Sequence, residues 1–186
     1  AEGGALDMRD STCPAIHTAL QASEKGVDFM PLGGLVGSDL VGNRGDWKVV
    51  DDPLDRGGGP VVLLPAIKPD VAVFHSPRAD TEGNVWIGRR RELMTMAHAA
   101  AATLVTVEAV EDRDFLDDEA TAAGTLSGLY VTAIAVAEGG ARPLGLTGHY
   151  RRDMDHIRAY AEEAKTGAGF KRYLDREVFA ETGAGS

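Results

Sequence analysis

The stretch "PDVAVFHSPRADTEGNVWIG", residues 69–88, places two apolar segments on either side of a polar connection. The β-branched and aromatic residues of 71–76 and 84–87 predict two short buried strands. Elsewhere in the chain, the segments with strand character are 27–32, 47–50, 61–67, 103–110 and 131–137. The segments with helical character are 11–26 and 89–102. Short buried strands interspersed with helices predict an α/β fold with an open, partly parallel sheet and flanking helices.

The polar connection "ADTEGN", residues 79–84, has two interpretations. In the first it is a turn, because Asp80 tolerates turn geometry, Gly83 supplies a positive φ and Asn84 follows. In the second, the turn amides and Arg78 face a ligand at the carboxyl end of the preceding strand, where open α/β sheets bind ligands. Periodicity alone leaves both interpretations open.

The last part of the chain changes character. Apolar residues recur at helical spacing in two consecutive segments, at Met154, Ile157, Ala161 and Ala164 and then at Phe170, Tyr173, Leu174 and Val178. This periodicity predicts a helical hairpin. We therefore expect an α/β domain over residues 1–148 and a C-terminal helical tail, residues 149–186, packed on it.

Composition excludes several classes of function. The formal charge of −10 repels phosphate backbones, so we expect no nucleic-acid partner. The single cysteine, Cys13, excludes an internal disulfide and is typical of a reducing compartment. No apolar run reaches transmembrane length, so we expect a cytoplasmic protein without a membrane partner. The five histidines are scattered, and no metal site is predicted.

Two polar features have alternative interpretations. Glu108 interrupts the apolar strand 103–110, and it is either a functional carboxylate or the mark of the strand's end, which we favour. The glycine-rich segment 33–46 has neither the lysine of a P-loop nor the spacing of a dinucleotide site. Within it, Ser38 and Asp39 either orient a hydroxyl group or cap a helix, and capping is the commoner use.

In its order of motifs the chain resembles the α-type subunit of family I coenzyme A transferases, in particular the glutaconate CoA-transferase branch. The resemblance rests on residues 69–88 with the following helix and "TLVTVEAV" (103–110), on "GGLVGSDL" (33–40), and on "GHYRRDMDHIRAYAEEAKTGAGFKRYLDREVF" (148–179). It implies the NagB/RpiA/CoA-transferase-like fold and a ping-pong transfer of CoA between an acyl-CoA and a carboxylic acid.

The resemblance also implies a division of roles. The nucleophilic glutamate belongs to a β-type partner, so this chain supplies no catalytic residue of its own and acts within a hetero-oligomer. Coenzyme A is a substrate, and no cofactor is bound permanently. The residues implied in substrate binding are Gly37, Ser38, Asp39, His75 and Arg78, with Arg78 as the partner of a diacid carboxylate. The residues implied in holding the turn are Asp80, Gly83 and Asn84.

One departure from the family keeps other functions open. The family's α-type subunit begins with a longer segment, including a glycine-rich turn at the oxyanion site, and nothing like it precedes Ala1. The chain is then an incomplete α-type subunit, or the missing part is supplied elsewhere. The alternatives are a CoA-thioester or ring-opening acyl-CoA hydrolase subunit on the same scaffold, and a non-catalytic degenerate subunit or acyl-CoA-sensing module.

Overall fold

The computed structural model describes residues 8–54 and 57–180. The expectation about Ala1 therefore lies outside the described residues. The chain divides into two compact units, residues 1–136 and 137–186. Among the described helices, none combines the length and the apolar character that crossing a membrane requires.

The described residues form eight strands and six α-helices. The strands are β1 (Phe29–Leu32), β2 (Lys48–Val50), β3 (Val61–Pro65), β4 (Val71–Asp80), β5 (Val85–Trp86), β6 (Ala102–Glu111), β7 (Thr125–Leu126) and β8 (Ala133–Val136). The helices are α1 (Cys13–Glu24), α2 (Asp39–Gly42), α3 (Arg91–Ala99), α4 (Glu119–Ala122), α5 (Met154–Glu163) and α6 (Gly167–Glu177).

The first sheet is antiparallel, with the strand order β1-β3-β2. Side chains alternate between its faces, so Val62 and Leu64 of β3 are buried while Val61 and Leu63 are only half-buried. The buried side chains form one core cluster with Ala15 of α1, Leu35 and Trp47. The sequence predicted all three strands but did not separate them from the parallel sheet.

The second sheet contains the predicted parallel strands. Its order is β7-β5-β4-β6-β8, in which β4, β6 and β8 run parallel and β5 and β7 run antiparallel. Helix α3 connects β5 to β6, and its Ala97 packs in a core cluster with Val105 and Val107 of β6. The prediction of an open, partly parallel sheet with flanking helices is confirmed.

The second unit contains the predicted helical hairpin of α5 and α6. The carboxylate of Asp153 caps α5 by accepting hydrogen bonds from the amides of Asp155 and His156, and Thr166 caps α6. The two helices contact each other through Tyr160 and Tyr173, whose ring centroids lie 4.8 Å apart. The hairpin is thus defined by side-chain caps at both helix starts and by an aromatic contact.

Candidate active site

Asp80 organises the turn between β4 and β5. Its Oδ1 accepts hydrogen bonds from the amides of Glu82 and Asn84, at 3.0 and 2.8 Å. Its Oδ2 accepts from Nδ2 of Asn84 and from the amide of Phe115, at 2.9 and 2.8 Å. Gly83 has a φ of +86°, a conformation that glycine adopts without strain. Asp80, Gly83 and Asn84 therefore lie in one hydrogen-bonded turn, and the two polar side chains are buried.

Sequence reasoning missed a fourth member of this turn, Gly128. Its amide donates to Oδ1 of Asn84 at 2.9 Å. A Cβ at this position would lie 2.9 Å from the carbonyl oxygen of Glu82, closer than real Cβ atoms approach a backbone atom. The turn thus requires a glycine 44 positions away in sequence. No periodicity in the sequence indicates such a contact.

Arg78 lies near the carboxyl end of β4, as expected, with its charge balanced by a neighbour. Its Nη1 donates to Oε1 of Glu111 at 2.9 Å, and Arg113 donates to the other oxygen of the same carboxylate at 2.8 Å. The Arg78 guanidinium also lies over the rings of Trp86 and Phe115, at 5.2 and 5.4 Å from their centroids. Partial burial by itself would raise the pKa of Glu111, but the two arginines outweigh it and hold this pKa below its ordinary value.

His75 is held by two side chains of the neighbouring strand. Its Nε2 lies 2.6 Å from Oε1 of Glu108, and its Nδ1 lies 2.9 Å from Oγ1 of Thr106. The favoured interpretation of Glu108 as the end of its strand is wrong, because β6 continues to Glu111. The parallel register places His75 opposite Thr106 and thereby brings the imidazole within reach of Glu108.

This polar group lies on the face of the second sheet opposite α3. Because Val105 and Val107 pack in the core with α3, alternation directs Thr106 and Glu108 to the other face. The apolar neighbours on that face are Val73, 67% exposed, Leu104, 41% exposed, and Val110, 45% exposed. His75 and Glu108 are themselves mostly buried, with 10% and 15% of their side chains exposed.

The G-S-D segment follows β1 beside the first sheet. Gly37 has a φ of +81°, which permits the reversal that leads into α2. Ser38 occupies the N-cap position of α2, but its side chain makes no capping hydrogen bond. Its Oγ instead donates to the carbonyl oxygen of Leu35 at 2.8 Å. Asp39 is exposed in the first turn of the helix.

Next to this segment, Arg44 and Asp46 form an ion pair that the sequence analysis did not single out. Nε and Nη2 of Arg44 donate to the two oxygens of Asp46, both at 2.8 Å, and Nη1 donates to the carbonyl oxygen of Asp10 at 2.9 Å. The guanidinium lies over the ring of Trp47, 4.3 Å from its centroid. The hydrogen bonds from Arg44 hold the pKa of Asp46 below its ordinary value.

The predicted site residues therefore form two groups in the first unit. Gly37, Ser38 and Asp39 lie beside the first sheet, whereas His75 and Arg78 lie on β4 of the second sheet. Within the described ranges, 8–54 and 57–180, no group of three or more histidine, cysteine, aspartate or glutamate residues could hold a metal ion. These groups can bind and orient a ligand by hydrogen bonds.

Comparison with known proteins identifies the relatives of this chain. It is 28% identical to the α-type subunit of glutaconate CoA-transferase from Acidaminococcus fermentans, over 96% of this chain and 60% of that protein. It is 27% identical to the corresponding subunit of 3-oxoadipate CoA-transferase from Pseudomonas knackmussii, over 94% of this chain and 60% of that protein. The crystal structure of the Acidaminococcus glutaconate CoA-transferase matches it with a TM-score of 0.83 at 26% identity, over 96% of this chain and 61% of that one.

The chain is a homologue of CoA-transferase α-type subunits. The resemblance inferred from residues 69–88 and the CoA-transferase-like fold are both confirmed by these matches. No family model matches the chain.

Related scaffolds carry other chemistry. The structure of the decarboxylase AibA/AibB matches with a TM-score of 0.78 at 31% identity, over 94% of this chain and 64% of that one. The cholesterol ring-cleaving hydrolase IpdA subunit of Mycobacterium tuberculosis is 25% identical, over 92% of this chain and 61% of that protein. The chain spans 39–61% of the length of the curated relatives that it matches.

Proposed function

We propose that the chain acts as an α-type subunit of a heteromeric CoA-transferase and that it is active only with a β-type partner. The observation that carries the proposal is its similarity to the α-type subunits of two CoA-transferases over nearly all of its length. The partner supplies the nucleophilic glutamate, in keeping with the resemblance to family I transferases.

The proposed reaction proceeds in two covalent stages. The partner's glutamate attacks the acyl-CoA carbonyl, which forms an acyl–glutamyl anhydride and releases the CoA thiolate. The thiolate then attacks the glutamyl carbonyl, which gives a glutamyl–CoA thioester and frees the first acid. An acceptor carboxylate reverses these steps and leaves with CoA. Two moderate steps replace one difficult exchange, as is general in nucleophilic catalysis.

This chain's part in the reaction is to bind and orient the acyl group. Gly37, Ser38 and Asp39 line the acyl site, where Gly37, which has no Cβ, allows the backbone to approach a ligand closely. His75 and Arg78 are further binding candidates. His75 is paired with Glu108, and Arg78 is paired with Glu111. Either side chain must therefore give up this contact before it can bind a substrate. Coenzyme A is the substrate of the assembly, and no permanently bound cofactor is needed.

The proposal is tested by co-expressing the chain with the β-type protein encoded beside it. The purified complex is assayed for exchange of CoA between an acyl-CoA and a panel of acceptor acids. The matched control is the same complex with the partner's predicted glutamate replaced by alanine. Exchange that needs both chains and that glutamate supports the proposal. A stable complex without exchange across the panel contradicts it.

The second candidate function is hydrolysis of an acyl-CoA, supported by the match to the ring-cleaving hydrolase subunit. In this case water, rather than an acceptor acid, receives the acyl group. The same complex distinguishes the two functions. Release of free CoA without any acceptor supports hydrolysis, and strict dependence on an acceptor excludes it.

A further inference from the structure

A cavity of about 620 Å³ lies between α1, β3 and the segment that follows α2. Most of its lining is apolar: Ala15, Ile16 and Ala19 come from α1, and Trp47, Leu64 and Ile67 close the other side. Cavities that bind small molecules have this size and this mainly apolar lining. Ile16 is 44% exposed, so the structure leaves apolar surface accessible inside the cavity.

A second, polar cavity of about 590 Å³ adjoins the first. The two share Arg9, Arg44 and Asp46 as lining residues, and Asp10 and Asn43 line only the polar one. The pair thus forms an amphipathic site, with an apolar compartment that opens toward a polar compartment.

The charges at the junction are balanced within the chain. All three donor groups of Arg44 are engaged, two by Asp46 and one by the carbonyl oxygen of Asp10. Arg9 also contributes to the low pKa of Asp46 through its charge. Together the linings of the two cavities contain two arginines, Arg9 and Arg44, and two aspartates, Asp10 and Asp46.

The wall of the cavity packs against Leu35, which precedes the G-S-D residues in the chain. Leu35 packs in the same core cluster as Ala15, Trp47 and Leu64, which are cavity-wall residues. The hydroxyl of Ser38 donates to the carbonyl oxygen of Leu35. A ligand in the apolar compartment therefore contacts wall residues that pack against Leu35, the hydrogen-bond partner of Ser38.

We infer that the apolar cavity holds the hydrocarbon part of the acyl group, beyond the carbonyl end that Gly37, Ser38 and Asp39 line, and that it selects an uncharged hydrocarbon group over one that ends in a carboxylate. The inference rests on the proposed function. A hydrocarbon chain gains free energy by covering the exposed apolar lining. A terminal carboxylate loses its hydration in the cavity. The nearby arginines already interact with the carboxylate of Asp46, so the free-energy cost of burying a second carboxylate is not compensated. Two relatives of the chain are named for glutaconate and 3-oxoadipate, and each of these acids carries two carboxylates. The inferred preference for an uncharged acyl group therefore differs from the substrates in those names.

The test compares hexanoyl-CoA with glutaryl-CoA as donors for the complex of this chain with its β-type partner. We expect kcat/KM to be higher for hexanoyl-CoA by roughly tenfold or more. Burying a carboxylate without a compensating partner costs more free energy than losing the contacts of one methylene group. Ile16→Trp, which fills the cavity, should raise KM for hexanoyl-CoA. Val49→Trp, at an apolar residue of β2 that is 48% exposed and outside the cavity lining, is the matched control and should leave KM unchanged.

The outcomes separate the inference from the proposed function. A preference for glutaryl-CoA, or equal effects of Ile16→Trp and Val49→Trp, overturns the inference while CoA transfer itself stands. Absence of all turnover overturns the proposed function. In that case calorimetry with hexanoyl-CoA and glutaryl-CoA still decides the inference. Tighter binding of hexanoyl-CoA that Ile16→Trp weakens supports it, and equal binding of the two ligands contradicts it.

Discussion

The imidazole of His75 and the carboxylate of Glu108 form a mostly buried pair across two parallel strands, with 2.6 Å between Nε2 and Oε1. Thr106 occupies the other ring nitrogen, so the imidazole is fixed from both sides. Since a buried polar group is costly without its partner, Glu108→Ala and His75→Ala should each lower the free energy of unfolding by about 1–3 kcal/mol. Urea denaturation of both single variants and of the double variant measures the effect.

The double variant is decisive for this pair. If the two side chains stabilise each other, the double variant loses less than the sum of the two single losses, with a coupling energy of roughly 0.5–3 kcal/mol. Glu108→Gln is the conservative variant, because an amide oxygen can still accept from Nε2. Strict additivity of the two alanine variants would contradict the pairing.

Asp80→Ala should destabilise the first unit more than any exposed substitution. The carboxylate accepts four hydrogen bonds, three of them from backbone amides. Losing a buried charged acceptor of this kind should cost roughly 2–4 kcal/mol in the free energy of unfolding. Thermal and urea denaturation measure this loss. Asp117→Ala, at an exposed aspartate, is the control and should change the value by less than about 0.5 kcal/mol. Equal stability of the two variants would contradict the role of Asp80 in the turn.

Arg78→Ala tests whether Arg78 binds substrate or serves the fold. If the guanidinium mainly stabilises Glu111, its removal raises the pKa of Glu111 toward the ordinary value, because partial burial then opposes ionisation with one arginine fewer. An NMR titration of the Glu111 carboxyl group measures this shift, with Arg113→Ala as the matched variant. If Arg78 serves only the fold in this way, the affinity of the complex for glutaryl-CoA stays unchanged. A large increase in KM for glutaryl-CoA would instead make Arg78 a substrate-binding residue.

The Arg44–Asp46 pair should make stability depend on pH in the acid range. Because the folded-state pKa of Asp46 is lowered, its contribution is complete above the ordinary aspartate pKa of about 3.9 and is lost as the pH falls through the folded-state value. The difference in unfolding free energy between the wild type and Asp46→Asn should therefore shrink on acidification. Urea denaturation at a series of pH values measures it. In an Arg44→Ala background, Asp46→Asn should show a much weaker pH dependence, and an unchanged dependence would contradict the pairing.

Much of the fold could be predicted from residue composition and from the periodicity of apolar residues along the chain. The strands β4 and β6 and the helix α3 follow from runs of β-branched residues and of strong helix formers. The boundaries were less accurate, because β4 continues through Arg78 to Asp80. These polar residues extend the strand since they pair with β5 and β6, and local periodicity carries no information about partners. The short strand Thr125–Leu126 was missed for the same reason.

Candidate site residues could be singled out from the sequence, but the contacts that they make in the structure could not. His75 and Glu108 were both singled out, yet their meeting depends on strand register over 33 positions. Arg44 and Asp46 were missed because a two-residue separation in a glycine-rich segment resembles an ordinary loop. The Asp80 turn was the most predictable part, because Asp80, Gly83 and Asn84 act through local hydrogen bonds and a local φ.

We propose that this chain orients the acyl group while its partner carries the covalent intermediate. Intact-mass spectrometry of the two-chain complex, incubated with an acyl-CoA in the absence of acceptor acid, tests it most directly. We expect the partner chain to gain the mass of a CoA thioester and this chain to keep its mass. A CoA or acyl adduct on this chain, or full turnover with no adduct on either chain, would contradict it.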